Sequence, residues 1–183
     1  MNVYEKCPVL ENDSFLLRFV SQKDIVDLFK VYSDKNSVRL FNSDNCTDNF
    51  YYTTIDRMKQ AIEFWNDEYK KRYYVRWSII DKSTDSAIGT IELFNRKADD
   101  YFNNCGLLRI DLRSDYEKED AISKILEIII PSAPELFCCS IIATKAIPIA
   151  SERIKALRNY GFSLSHEKII GHNGELYGDY WVL

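Results

Sequence analysis

The sequence has no excess of basic residues. It contains 24 Lys and Arg against 28 Asp and Glu, which gives a formal net charge of −4 at pH 7 and a pI near 5.3. A broad nucleic-acid-binding surface usually carries a basic stripe. The charge therefore argues against a nucleic-acid partner, although it leaves room for a local basic pocket.

Long apolar runs are also absent. The longest, Ile128-Ile129-Ile130, ends at Pro131, far short of the ~20 residues that a membrane-spanning helix needs. The first residues have neither the apolar core nor the small-residue cleavage site of a signal peptide. We expect no membrane partner and a cytoplasmic location.

The cysteines lack any pattern. They are five in number and scattered along the chain: Cys7, Cys46, Cys105, Cys138 and Cys139. No Cys-x-x-Cys unit or Cys/His group has the spacing of metal ligands. We expect free thiols in a reducing compartment and no metal site.

Apolar residues are plentiful, at 46% of the sequence with 14% aromatic. This is enough for a buried core and is untypical of a disordered chain. No internal repeat, low-complexity tract or linker interrupts the 183 residues. We predict a single domain spanning residues 1–183.

Hydrophobic periodicity predicts an alternation of strands and helices. Strands are predicted at residues 14–20, 73–81, 87–95, 106–112, 137–143, 162–170 and 176–183, with helices from Ser21 and at residues 55–69, 119–130 and 149–160. A short polar connection at residues 82–86 suits an antiparallel hairpin, whereas the helix between residues 106–112 and 137–143 implies a parallel crossover. The expected fold class is α/β, a mixed sheet of about seven strands flanked by about four helices.

Five phrases in this order resemble the GNAT acyltransferase superfamily, nearest its ribosomal-protein-acetyltransferase-like branch. They are WSII at residues 77–80, AIGTI at 87–91, KAIP at 145–148, LRNYGF at 157–162 and NGELYGD at 173–179. The resemblance extends over nearly the whole chain, and its strength lies in the joint order and spacing of the phrases.

Membership in this family implies an N-acetyltransferase with acetyl-CoA as co-substrate. Two neighbouring strands, here residues 106–112 and 137–143, part to admit the pantetheine arm, and the diphosphate rests on the first amides of the next helix. The residues implied at this site are Ile110, Leu112, Arg113, Tyr116, Lys118, Ala121 and Ile122. The acceptor is a primary amine of a small molecule or a protein N-terminus, and a homodimer is possible in this family.

The loop before that helix departs from the family pattern. Asp115, Lys118 and Asp120 stand where relatives carry Arg or Gln, Gly, and Gly or Ala. A loop without glycine cannot approach phosphates as closely, and acidic residues repel them. The acids can instead stabilise the start of a helix. The alternative function is therefore a catalytically degenerate module that binds another ligand or a protein.

Two carboxylates are candidate general bases, Glu92 and Asp111. Strict alternation puts Glu92 on the face opposite Ile91 and Leu93, which is either the substrate cleft or solvent. His166 and His172 fit surface positions better. The family's Asn position early in the last helix holds Ala150, and its thiolate-protonating Ser and Tyr positions hold Arg153 and Leu157, so the resemblance implies no thiolate acid. An aromatic group is expected near the acceptor: Phe50, Tyr51, Tyr52, Trp65, Tyr69, Tyr73 and Tyr74.

Overall fold

Ten strands and six α-helices form within residues 2–183, which the computed structural model describes. The strands are β1 (Leu10–Glu11), β2 (Phe15–Phe19), β3 (Val75–Asp81), β4 (Ser86–Asn95), β5 (Gly106–Leu112), β6 (Ile142–Lys145), β7 (Ser163–Leu164), β8 (Ile169–Ile170), β9 (Leu176–Tyr177) and β10 (Tyr180–Val182). The α-helices are α1 (Ile25–Tyr32), α2 (Lys35–Val38), α3 (Ile55–Lys70), α4 (Glu119–Ile129), α5 (Ala133–Phe137) and α6 (Ser151–Tyr160). Gln22–Asp24 and Ser114–Tyr116 are short 3₁₀ helices.

Eight of these strands make one mixed sheet. Its order is β1-β2-β3-β4-β5-β6-β10-β7, and every neighbouring pair is antiparallel except β5 and β6. β8 and β9 form a separate two-stranded ribbon. The predicted fold class, with one parallel crossover in a hairpin meander, is confirmed.

Helices cover both faces of the sheet. The larger core joins Ile91, Leu108 and Ile110 to the apolar stripes of α4 and α6. The second core joins α1 and α3 around Tyr32 and Trp65 on the opposite face. Each strand in the middle of the sheet is thus buried on both sides, which explains the near-continuous burial of β3, β4 and β5.

Local signals set several of the element ends. Ser21 and Asp24 form a capping box before α1, and the Thr54 hydroxyl accepts the Arg57 amide at the start of α3. Gly161 ends α6 with a φ of 112° and donates its amide to the last turn. This left-handed conformation favours glycine, as predicted for that position.

The strand predicted at residues 137–143 is wrong in its first half. Pro134 lies in the first turn of α5, where its fixed φ and missing amide suit a helix start. Cys138 then turns the chain with a φ of 51°, so β6 begins only at Ile142. Phe137 is buried against Trp77, whereas Cys138 and Ser140 are exposed. An apolar run of this length does not by itself distinguish a short helix from a strand.

The C-terminal strands are shorter than predicted, and β1 and α2 were not predicted. Residues 162–170 contain β7 and β8, and residues 176–183 contain β9 and β10, because Asp179 interrupts the second run with a φ of 63°. All five cysteines are free thiols, as expected. No helix within residues 2–183 is long and apolar enough to cross a bilayer.

Candidate functional site

The parallel strands β5 and β6 part after only three paired residues. Their last pair is Leu108 with Thr144, although β6 stays paired with β10 as far as Lys145. We call the gap beyond the Leu108–Thr144 pair the wedge. It lies where the family resemblance predicts the entry of pantetheine.

Two peptide groups of β5 face the wedge. The Arg113 amide donates to the Ile88 carbonyl of β4. Hydrogen-bonded pairs alternate along an antiparallel ladder, so Ile110 and Leu112, which lie opposite Ile91 and Gly89, direct their amide and carbonyl groups away from β4. Their side chains are buried in the larger core. Only their backbones can therefore contact a ligand.

Helix α4 starts below the wedge with free amides. Lys118 is its N-cap residue and supplies no side-chain cap. The Glu119 amide donates to Glu152 Oε2 of α6 at 3.2 Å. The amides of Asp120 and Ala121 have no partner within residues 2–183. Two N–H groups at the positive end of the helix are thus available to an anion.

Three of the four acidic residues at positions 115–120 are paired with cations, whereas Glu119 accepts a hydrogen bond from Asn159. The Glu117 carboxylate accepts two hydrogen bonds of 2.8 Å from the buried Arg153 guanidinium, and Asp115 is held in the same way by Arg113. Asp120 pairs with Lys124 at 2.8 Å. These ion pairs reduce the repulsion that the acidic residues of the loop are expected to exert on phosphate groups.

The backbone of the loop does not require glycine. Lys118 is extended, with φ of −127°, and no residue between 113 and 121 has a positive φ. A cavity of about 190 Å³ opens beside it between Arg39 and Ser151. The chemistry of these groups is compatible with acetyl-CoA: the wedge offers unpaired peptide groups, and the start of α4 offers two free amides beside a third that Glu152 occupies.

The remaining predicted cofactor-binding residues have distinct surroundings. Arg113 lies 5.0 Å from the centre of the Tyr116 ring, and the Tyr116 hydroxyl donates to Asp81 at 2.5 Å. Ile122 is fully buried in the larger core, against which Ala121 packs. Lys118 and Ala121 lie at the start of α4.

A row of charged side chains crosses the sheet on the face towards α1 and α3. Arg76, Glu92 and Arg109 lie directly opposite one another on β3, β4 and β5. Glu92 accepts hydrogen bonds from both guanidiniums, with Arg109 Nη1 at 2.9 Å. The predicted orientation of Glu92, away from Ile91 and Leu93, is confirmed, but it meets two arginines instead of solvent.

Asp111 lies in the next row, beside Thr90. Its Oδ2 accepts hydrogen bonds from the Tyr32 hydroxyl at 2.7 Å and from Arg76 Nη1 at 3.1 Å. Arg76 Nη1 also donates to Tyr32 and Thr90, at 3.0 Å each. Both candidate bases thus belong to one buried network that centres on Arg76.

The two carboxylates differ in acidity. Burial raises the pKa of Glu92, but the charges of Arg76 and Arg109 outweigh it and leave that pKa below its usual range. Burial also raises the pKa of Asp111, and here Arg76 and Tyr32 do not fully compensate, so the pKa stays raised. Of the two groups, Asp111 has the pKa better suited to taking a proton near neutral pH.

Two neighbouring cavities of about 280 and 600 Å³ lie above this row. They share the lining residues Asn45, Cys46, Tyr74, Glu92 and Arg109, and we call them together the polar cleft. Phe50, Trp65, Tyr73 and Tyr74 of the predicted aromatic group line it, and so does His172. Tyr69 lies elsewhere, against Phe19, and His166 is exposed.

The arginines of this row were not predicted from the sequence. Arg76 follows Val75 in a mostly apolar strand, and its partner is set by the register between β3 and β4. The hairpin at residues 82–86 indicates that register only roughly, because the pairing shifts between Ile79 and Ile80.

Within residues 2–183, no group of three or more His, Cys, Asp and Glu residues is placed to hold a metal ion.

A mixed sheet with a wedge between two parallel strands, a helix start below it and a cleft beyond it defines a protein of the acyltransferase class. The sequence profile described as Acetyltransferase (GNAT) domain matches residues 14–162. The chain therefore belongs to the GNAT acetyltransferase family, whose members are acyltransferases that use acetyl-CoA as co-substrate.

Solved structures show the same fold. The ribosomal L7/L12 α-N-protein acetyltransferase RimL, in complex with coenzyme A, is 11% identical with a TM-score of 0.70 over 96% of this chain and 97% of that one. The microcin C7 self-immunity acetyltransferase MccE, in complex with acetyl-CoA and AMP, is 14% identical with a TM-score of 0.70 over 94% and 93%. The ribosomal-protein-S5-alanine acetyltransferase from Vibrio fischeri is 18% identical with a TM-score of 0.64 over 96% and 94%. The predicted ribosomal-protein-acetyltransferase-like branch is thus represented among the neighbours. No curated protein sequence matches the chain significantly.

Proposed function

We propose that this chain transfers the acetyl group of acetyl-CoA to a primary amine of a small molecule or a protein N-terminus. The observation that carries the proposal is the wedge, which leaves the peptide groups of Ile110 and Leu112 without strand partners. These groups would pair with the amides of the pantetheine arm as an added strand does. The amides of Asp120 and Ala121 would hold the diphosphate.

The amine enters from the polar cleft, on the other face of the sheet. Asp111 is the proposed general base because it lies on β5 between the two wedge residues and its pKa is raised. It would take the proton that the amine loses on attack at the thioester carbon. Glu92, whose pKa is lowered by two arginines, would hold those arginines in place. Acetyl-CoA supplies the activated acyl group, and coenzyme A leaves as the thiol.

Calorimetric titration with acetyl-CoA and with acetyl-pantetheine tests the wedge directly. We expect both to bind, with acetyl-CoA tighter because the free amides of α4 add a contact to phosphate. A release assay for free thiol with a panel of primary amines then tests the transfer. No binding of either compound at millimolar concentration would exclude the proposed function.

A further inference from the structure

Three of the four orphaned polar side-chain atoms within residues 2–183 belong to residues of the polar cleft. The four are Asn66 Oδ1, Arg76 Nε, Asn95 Oδ1 and Arg109 Nε, and all but the first come from cleft-lining residues. Buried polar atoms without a partner are uncommon in native proteins. Arg76 and Arg109 thus each keep an Nε–H group without a partner in the described part of the chain.

Two arginines lie on the floor of the cleft and share one carboxylate. Arg76 and Arg109 are permanently charged, and Glu92 is the one carboxylate that both of them contact. Asp111 is the second carboxylate partner of Arg76, at 3.1 Å. The charged residues along the lining are Arg57, Arg76, Arg96, Lys97 and Arg109 against Asp48, Glu68 and Glu92. Arg76 and Arg96 also form ion pairs with carboxylates behind the lining, Asp111 and Asp100.

Aromatic side chains hold the guanidinium of Arg76 in place. Its central carbon lies 4.2 Å from the centre of the Trp65 ring, with the rings of Tyr74 and Phe50 at 5.9 and 6.0 Å. Phe64 adds an exposed apolar edge to the same cavity. A guanidinium fixed against aromatic rings is a preorganised donor for a planar carboxylate, and the rings offer contact to an apolar body.

We infer that the acceptor of this enzyme is an amine that also carries a carboxylate on an apolar or aromatic body, with Arg76 and Arg109 as the residues that select it. The inference rests on the proposed function, because it assigns the polar cleft to the acceptor. A polyamine is disfavoured, because it would bring further cations beside Arg76 and Arg109, and the carboxylate that these arginines share, Glu92, is already paired.

Matched acceptors test the selection. L-Phenylalanine and phenethylamine share an amine and a phenyl ring and differ in the carboxylate, while spermidine supplies a polycation. We expect kcat/KM to be about tenfold to a hundredfold higher for L-phenylalanine than for phenethylamine, in the range of a charge-assisted hydrogen bond, and spermidine to be the poorest. An equal or higher value for phenethylamine would overturn the inference.

Variants assign the selection to the arginine row. Arg109→Lys keeps the charge and removes the guanidinium fork, and Arg109→Gln removes both. The preference for L-phenylalanine should fall in the first and vanish in the second. Arg158→Gln, which removes an exposed arginine of α6, should keep it. A preference that survives in Arg109→Gln, with thermal melts showing a folded protein, would also contradict the inference.

A binding experiment without acetyl-CoA separates this inference from the transfer itself. The Nε–Hε NMR signals of Arg76 and Arg109 are followed during titration with 3-phenylpropionate and with 3-phenylpropanol, neither of which has an amine. Only the carboxylate should shift both signals. If the signals shift but no amine is acetylated, the proposed function fails and the carboxylate site stands. If they do not move at millimolar 3-phenylpropionate, the site is refuted even where acetylation is observed.

Discussion

Two carboxylates on adjacent strands, Glu92 and Asp111, show how neighbouring residues acquire different chemistry. Both are buried on the same face of the sheet, yet Glu92 contacts two guanidiniums, whereas Asp111 contacts one guanidinium and one phenol. Their pKa values move in opposite directions for this reason. A pair of titratable groups with separated pKa values is a frequent arrangement at catalytic sites.

The first prediction concerns Asp111. Asp111→Asn keeps the shape and removes the base, so we expect kcat to fall by about 10²- to 10⁴-fold, the usual contribution of a general base. Tyr32→Phe is the matched control, because it removes a hydrogen bond that lowers the pKa of Asp111 and leaves the carboxylate. The pKa of Asp111 should therefore rise in Tyr32→Phe, and the acidic limb of this variant's pH profile of kcat/KM should move to higher pH. An unchanged kcat in Asp111→Asn would assign the proton transfer elsewhere.

The second prediction concerns the stability contributed by Glu92. Its pKa is lowered in the folded state, so its contribution is present above the unfolded-state pKa, about 4.3, and is lost as the pH falls through the folded-state value. Glu92→Gln leaves two buried arginines without their shared anion and should destabilise the protein at pH 7 by about 3 kcal/mol. Urea unfolding at pH 7 and pH 4 measures the difference in unfolding free energy between the unchanged protein and Glu92→Gln. This difference should be smaller at pH 4. A difference in unfolding free energy that stays constant or increases on acidification would contradict the pairing of Glu92 with the two arginines.

At the scale of elements, the sequence predicted what periodicity and turn chemistry determine. The bounds of β5 and the glycine stop of α6 are local properties and were correct. The helical turn of α5 was missed because a five-residue helix has too few apolar positions to show a period. The arginine row was missed for a different reason, since the partners of Glu92 depend on strand register, which one residue of shift would change.

The third prediction concerns the start of α4. Glu152 occupies the Glu119 amide and adds negative charge where the diphosphate of acetyl-CoA would lie. Its pKa is lowered by hydrogen bonds from Lys155 and from that amide, so it is ionised at neutral pH. Glu152→Ala frees the amide and should lower the Kd for acetyl-CoA by about threefold to tenfold, because anions are stabilised at a helix N-terminus.

Two comparisons make the test of Glu152 specific. Glu127→Ala removes a charge from the exposed side of α4, away from its start, and should leave the Kd unchanged. Acetyl-pantetheine lacks the diphosphate, so Glu152→Ala should not change its affinity. Equal tightening of both ligands would mean that Glu152 acts on the wedge instead of the phosphate site.

At the scale of the whole molecule, one sheet separates two cores of unequal size. The middle strands contribute side chains to both, with Trp77 in the larger core and Ile80 in the smaller. Loss of either helical layer would expose one buried face of β3 and β4. This shared sheet supports the prediction of a single domain, which an unfolding experiment tests.

The fourth prediction is that both layers unfold in one transition, which acetyl-CoA moves to higher temperature. Far-UV circular dichroism reports the helices, and the fluorescence of Trp65 and Trp77 reports the second and the first core, so single-tryptophan variants should give coincident midpoints. Acetyl-CoA at 100 times its Kd stabilises the folded state by about 2.7 kcal/mol, which corresponds to a rise in Tm of about 5–10 °C for a chain of this length. Separate midpoints for the two tryptophans would show that the layers are independent units. Coincident midpoints without a ligand shift would support the single domain and count against the wedge as the acetyl-CoA site, because a ligand that lies between β5 and β6 binds only the folded chain.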